Sequence, residues 1–194
     1  GAEANEAAIK LARKYGHIKG IKNPIILTAK SSFHGRTIGA LSATGQPKYQ
    51  KDFGPLVAGF EFFSFNDSES FKSLYQQLQK RNDQISAVLI EPIQGEGGIH
   101  PGEQEFFQFL RNFCTENEIL LIFDEVQSGM GRTGKFWCYE HLKVEPDVFT
   151  VAKGLGGGHA IGALLVKDIA NIFKHGDHAT TFGGNPFACK AALT

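Results

Sequence analysis

The feature that most constrains this chain is a run without any polar alternation, Ile-Leu-Leu-Ile-Phe at residues 119 to 123, followed at once by Asp124 and Glu125. Five residues are too few for a helix. A strand that is apolar at every position must be buried on both of its faces, which is the position of an interior strand in a parallel sheet covered by helices. A second strand-sized run covers 85 to 90, and the segment between them, 103 to 116, places Phe106, Phe107, Leu110 and Phe113 on one helical face. Strand, helix, strand in this order predicts a three-layer α/β fold: a mainly parallel sheet with helices on both faces.

The flanking segments extend the pattern. Ala4, Ala7, Ala8, Leu11 and Ala12 recur at helical spacing, and Gly16 with Gly20 offers a stop, so residues 2 to 15 are expected to be helix. Strands are expected near 25 to 30, 57 to 64, 148 to 152 and 163 to 166. A Gly-rich loop is expected over 31 to 45, a helix over 68 to 80 and another from about Asp168. No internal repeat or linker divides the chain, so 1 to 194 reads as one domain. The sequence opens on a helical pattern and closes inside another, and it is therefore expected to be an excerpt with flanks on both sides.

Composition excludes several partners. Twenty basic residues balance twenty acidic ones, with no basic patch, which offers nothing to nucleic acid or to an anionic membrane. The apolar runs are far below the roughly 20 residues that span a bilayer. Cys114, Cys138 and Cys189 are widely spaced and form no Cys-x-x-Cys pair, which suits buried thiols in a reducing cytoplasm. The seven histidines show no metal-ligand spacing, and no metal is expected.

In an open parallel sheet the ligand sits beyond the carboxyl ends of the strands. Those ends here are 91 to 98, 124 to 134 and 153 to 158, all rich in Gly and polar groups. Asp124 brings a carboxylate to the edge of an apolar strand, where it needs a cationic partner to remain ionised. Lys153 brings an amine to another strand edge, where partial desolvation would make it a nucleophile or base. Taken singly, an Asp at a strand end is more often a cap and a lone Lys more often a solvated surface group. Together with a helix start at 1 to 3 and an aromatic at Phe33, they supply what a phosphorylated pyridine aldehyde requires.

Six segments make the likeness specific: G-A-E-A-N-E-A-A-I-K (1 to 10), F-H-G-R-T (33 to 37), E-P-I-Q-G-E-G-G (91 to 98), F-D-E-V-Q-S-G-M-G-R-T-G (123 to 134), V-A-K-G-L-G-G-G (151 to 158) and T-T-F-G-G-N-P (180 to 186). In this order they resemble the class III aminotransferases, which depend on pyridoxal 5'-phosphate, and within the class the members acting on N-acetylornithine. The resemblance implies the large cofactor-binding domain of fold type I. It implies that Lys153 holds the cofactor covalently and shuttles a proton, and that Asp124 pairs with the pyridine nitrogen. By the same resemblance Gln127 reaches the ring oxygen, Phe33 stacks on the ring, and Gly1 with Ala2 cradles the phosphate. Thr181 resembles a residue that contacts the phosphate of the neighbouring subunit, which implies a homodimer with shared active sites. For the substrate, Arg36 resembles the arginine that grips the α-carboxylate. Thr180 resembles a further substrate-binding position, Glu96 a substrate-site acid that in several class III members pairs with an arginine from the C-terminal domain and swings away for a dicarboxylate, and Glu91 a structural hydrogen-bonding partner near the cofactor. Arg132, Gly134 and Trp137 also match the family and read as loop and packing residues.

The implied reaction takes the terminal amino group of N-acetylornithine to 2-oxoglutarate, giving N-acetylglutamate semialdehyde and glutamate in arginine biosynthesis. Donors such as ornithine, 4-aminobutyrate or succinylornithine, or aminomutase chemistry on a semialdehyde, remain alternatives. From a different class, a non-catalytic α/β binding module would use Asp124 and Lys153 as a structural ion pair.

Overall fold

The apolar runs leave water on both faces and become the interior of one sheet. A computed structural model describes residues 1–194. In chain order the elements are α1 (Ala2–Ile18), β1 (Ile25–Ala29), α2 (Ile38–Ala43), α3 (Pro47–Gln50), β2 (Phe60–Phe63), α4 (Ser68–Lys80), β3 (Ile85–Ile90), β4 (Ile93–Gln94), β5 (His100–Pro101), α5 (Gln104–Glu116), β6 (Leu120–Asp124), α6 (Tyr139–Leu142), β7 (Val148–Val151), β8 (Ala163–Val166) and α7 (Pro186–Ala192). Six strands form a sheet in the order β2-β1-β3-β6-β7-β8, parallel throughout except for the antiparallel β7–β8 pair at one edge. β4 and β5 form a separate small antiparallel pair.

Every residue of β3 and of β6 is buried. The two-residue period of the strands divides them between two cores. Val88, Ile90, Leu121 and Phe123 face α4 and α5 in a cluster with Phe63, Phe71, Phe107 and Leu110. Ala87, Leu89, Leu120 and Ile122 face α1 in a second cluster with Ala8, Leu11, Ala12 and Tyr15. The first core is largely aromatic: Phe107 meets Phe123 edge-on at 5.3 Å, and Phe71 meets Phe113 at 4.9 Å. Edge-to-face pairs of this kind add about 0.5–1.5 kcal/mol beyond the burial of their area.

Several expectations are corrected. α1 runs through Gly16 to Ile18, because Gly16 is a contact rather than a stop: a Cβ there would lie 2.7 Å from Pro24. The turn falls at Gly20, whose φ of +81° suits glycine. The loop expected over 31 to 45 contains α2, whose Ile-Gly-Ala-Leu-Ser-Ala sequence has no clear helical period. The helix expected from Asp168 is only a short 3-10 turn, Asp168–Ala170. The strand expected over 57 to 64 is confined to Phe60–Phe63. Cys114 and Cys138 are buried, but Cys189 is only half-buried. No helix is long and apolar enough to cross a membrane.

Candidate active site

The register of the sheet builds the site. Asp124 ends β6 and lies opposite Thr150 in β7, and β7 ends one residue before Ala152 and Lys153, so adjacent strand ends carry the carboxylate and the amine. Asp124 is 5% exposed. Its Oδ2 accepts from Asn5 Nδ2 at 2.7 Å and lies 2.8 Å from His34 Nδ1, while Oδ1 accepts from the Val126 N–H at 3.0 Å. A carboxylate only accepts, so the proton of this pair sits on His34 Nδ1. Asn5 is held in turn: its Nδ2 donates to the His34 carbonyl at 2.7 Å and its Oδ1 accepts from the Thr150 hydroxyl at 2.8 Å. Hydrogen bonds to a charged group contribute about 1.5–3 kcal/mol each, which is how a carboxylate remains tolerable in this interior.

His34 is wholly buried. Its burial disfavours the imidazolium, but the hydrogen bond and charge of Asp124, with Glu91 adding, outweigh that and hold its pKa above the ordinary value. Its Nε2 is a buried polar atom without a partner. Glu91, at the end of β3, accepts from the Phe33 N–H at 3.1 Å. Burial, with Asp124 adding, raises its carboxyl to about 7 against the opposing effects of His34 and the backbone N–H groups of Phe33 and Gly95. Glu91 therefore ties the Phe33 loop to the Gly95 loop, the structural role expected of it. Glu125 turns away from the site. It takes the N–H groups of Cys138 at 2.9 Å and Tyr139 at 2.8 Å and closes the loop between them.

Lys153 has a φ of +38°, in the left-handed region that costs a residue with a Cβ about 1–3 kcal/mol and persists where the surroundings dictate it. Its Nζ donates to Gln127 Oε1 at 2.6 Å. The partial desolvation expected of Lys153 is not found: the side chain is exposed in this chain. The start of α1 abuts the same edge. A Cβ on Gly1 would meet Val126 at 2.6 Å, and one on Gly35 would meet Ala2 at 2.8 Å, so only glycine permits these approaches. The helix start lies against both the Asp124 turn and the Phe33 loop, where unsatisfied N–H groups favour an anion.

Phe33 is half-buried and meets Tyr49 edge-on at 5.7 Å. Arg36 spreads its guanidinium 4.3 Å from the Tyr49 ring and 5.4 Å from that of Phe33. It makes no hydrogen bond or ion pair with the protein, so all of its donors are available. Glu96 accepts from the Tyr49 hydroxyl at 2.6 Å. Phe33, Arg36 and Glu96 thus meet at Tyr49, Gly1 and Ala2 border the Asp124 turn and the Phe33 loop, and Lys153 and Gln127 bond each other at the neighbouring strand end. Thr180 and Thr181 are exposed and hydrogen-bonded to none of them. Asn5, Thr150 and Tyr49 belong to the site and were not singled out from the sequence. Asn5 was detectable as a polar residue within an alanine-rich helical face, and Thr150 as the one polar residue of its strand.

The model of the "Aminotransferase class-III" family matches residues 1–194. The chain is 74% identical over 195 residues to the acetylornithine aminotransferase of Prochlorococcus marinus, covering 100% of itself and 46% of that protein. Among solved structures it superposes on the ornithine aminotransferase of Toxoplasma gondii with a TM-score of 0.89 and 34% identity, over all of this chain and 46% of that one. An (S)-enantioselective omega-transaminase from Thermomicrobium roseum gives 0.90 and 33%, over all of this chain and 48% of the other. The chain spans about half the length of the relatives it matches.

Proposed function

This chain belongs to the class-III aminotransferase family, and from that premise we propose that residues 1–194 are the large cofactor-binding domain of a transaminase moving the terminal amino group of N-acetylornithine to 2-oxoglutarate. The products are N-acetylglutamate semialdehyde and glutamate, a step of arginine biosynthesis. The observation that carries this reading is the juxtaposition at two adjacent strand ends of the buried Asp124, braced by Asn5 and His34, with Lys153 in a left-handed backbone. The 74% identity to a protein named acetylornithine aminotransferase supports the choice of donor.

The residues present fit pyridoxal 5'-phosphate. Asp124 offers a buried carboxylate to a protonated ring nitrogen, Lys153 an amine to the aldehyde, and the glycine-lined start of α1 a cradle to the phosphate. When bound, the group supplies an aldehyde that takes up the amino group and a cationic ring that withdraws electrons from the reacting carbon. Asp124 is oriented by the bonds from Asn5, His34 and Val126 and would pair with the protonated nitrogen. Lys153 Nζ would hold the cofactor at its aldehyde and would serve as the proton carrier at the carbon bearing the amine. Gln127 is the hydrogen-bond partner of Lys153 Nζ in this structure and is read as the contact to the ring oxygen. Phe33 provides an aromatic face, and Arg36 presents a free guanidinium suited to two-pronged binding of a carboxylate.

Thr180 is read as a substrate contact. Thr181 is read as the contact to the phosphate of a second subunit in a homodimer; the neighbouring Phe182 is 80% exposed, as a residue awaiting a covering surface would be. The free cysteines support a reducing, cytoplasmic setting. The test is steady-state kinetics of the full-length protein with a panel of donors and 2-oxoglutarate. N-acetylornithine should give the highest kcat/KM, and equal or better turnover with ornithine or 4-aminobutyrate would overturn the assignment.

A further inference from the structure

Asn5 is the one polar side chain among the buried residues of α1 that carries an amide, and its hydrogen bonds all reach other segments of the chain. Nδ2 donates to Asp124 Oδ2 and to the His34 carbonyl, both at 2.7 Å, and Oδ1 accepts from the Thr150 hydroxyl at 2.8 Å. Asp124, His34 and Thr150 are buried as well, so the network is internal to these residues. Only one orientation of the amide satisfies it. A carboxylate and a carbonyl accept and cannot donate, so a reversed amide would set its oxygen against two oxygens. The Thr150 hydroxyl lies 3.5 Å from Asp124 Oδ1, farther than from the amide oxygen, and its proton goes to the amide. Donation therefore runs one way, from Thr150 to Asn5 and from Asn5 to Asp124.

The backbone fixes both ends of this relay. The Asn5 N–H bonds the Gly1 carbonyl at 3.0 Å in the first turn of α1, and Thr150 stands opposite Asp124 in the β6–β7 register. A hydrogen bond donated to a carboxylate favours its charged form. Where a carboxylate and a ring nitrogen share one proton, such a donor leaves the proton on the nitrogen. His34, the other side chain at Oδ2, is titratable; an amide donates at every pH. A buried amide also costs free energy that an aliphatic side chain would not, unless its polar atoms are paired. We propose that Asn5 is a positioning residue for transamination: a fixed donor, oriented by Thr150, that keeps the proton shared by Asp124 and the cofactor's ring nitrogen on the nitrogen. This rests on the reading of Asp124 as the partner of that nitrogen.

The experiment reconstitutes the full-length protein with pyridoxal 5'-phosphate carrying nitrogen-15 in its ring, whose chemical shift follows the position of the proton, and measures kcat alongside. Asn5→Leu should move the signal toward that of neutral pyridine and lower kcat by about tenfold, the factor that one hydrogen bond to a charged group represents. Thr150→Val keeps the side-chain shape and removes the hydroxyl. It should move the signal the same way and lower kcat by about fivefold, the factor for a neutral bond. Thr150→Ser restores the hydroxyl and should return both readouts to near wild type. If Asn5→Leu does not fold, judged by circular dichroism, the two Thr150 variants decide. An unmoved signal in folded Asn5→Leu or in Thr150→Val, or a Thr150→Ser variant as impaired as Thr150→Val, would overturn the proposal. Asp124→Asn tells the two levels apart. If it leaves the signal at its wild-type position, the reading of Asp124 falls and the role of Asn5 with it. If it moves the signal while Asn5→Leu and Thr150→Val do not, only the role of Asn5 falls.

Discussion

Replacing Glu91 with Gln in the full-length protein should alter how stability depends on pH. The carboxyl of Glu91 titrates near 7 in the folded chain, against an ordinary 4.5, chiefly because it is buried. Between those values the folded state binds a proton that the unfolded state has lost, so stability falls as pH rises through this window and levels above it. At 1.36 kcal/mol per pH unit the fall is about 3 kcal/mol. His34, held above its ordinary value of 6.5, acts with the same sign: its contribution is complete below that value and is lost as pH rises through the raised pKa. Gln at position 91 retains an oxygen for the Phe33 N–H and has no charge to bury. It also removes one of the charges that raise His34, moving that part of the fall to lower pH. The assay is urea unfolding of wild type and Glu91→Gln at several pH values from 5 to 8. The variant should gain about 2.5 kcal/mol relative to wild type between the ends of that range. Parallel pH profiles would refute the assignment of a raised, burial-driven titration to Glu91.

Other outcomes follow from the same geometry. Asp124→Asn removes the charge that Asn5 and His34 converge on, and should lower kcat by about 100- to 1000-fold, measured as single-turnover transamination. A loss below about tenfold would mean that the charge is not used in the reaction. Phe107→Ala empties a fully buried site against Phe123 and Phe65 and should cost about 3–5 kcal/mol in denaturant unfolding. A cost under about 1 kcal/mol would contradict the aromatic core described here.

The sheet was legible because burial on both faces favours runs of mostly apolar residues without alternation, and 119 to 123 and, with Ser86 as the one polar residue, 85 to 90 state that requirement locally. The alternation with helical segments then implied parallel neighbours. α2 was not legible, since Gly39 and Ser42 interrupt its period and its place depends on contacts with Glu6, far back in α1; the Ala40 N–H donates to that carboxylate at 2.9 Å. Gly16 misled for a related reason: glycine signals a stop by conformation, but here it serves close approach to Pro24. Asp124 and Lys153 were visible as strand-end residues, and their adjacency is a matter of β6–β7 register that no local pattern encodes. Asn5 braces a carboxylate 119 positions later, and Tyr49 bonds a carboxylate 47 positions later. The partners of such residues lie far along the chain, and only the fold brings them together.

The central claim is that Lys153 holds the cofactor. It is tested most directly by adding pyridoxal 5'-phosphate to the full-length protein, reducing with borohydride, digesting, and locating the added mass by tandem mass spectrometry. The account predicts a phosphopyridoxyl group on the peptide containing Lys153 and none after substitution by Ala. A stoichiometric adduct on a different lysine, or its persistence in Lys153→Ala, would contradict it.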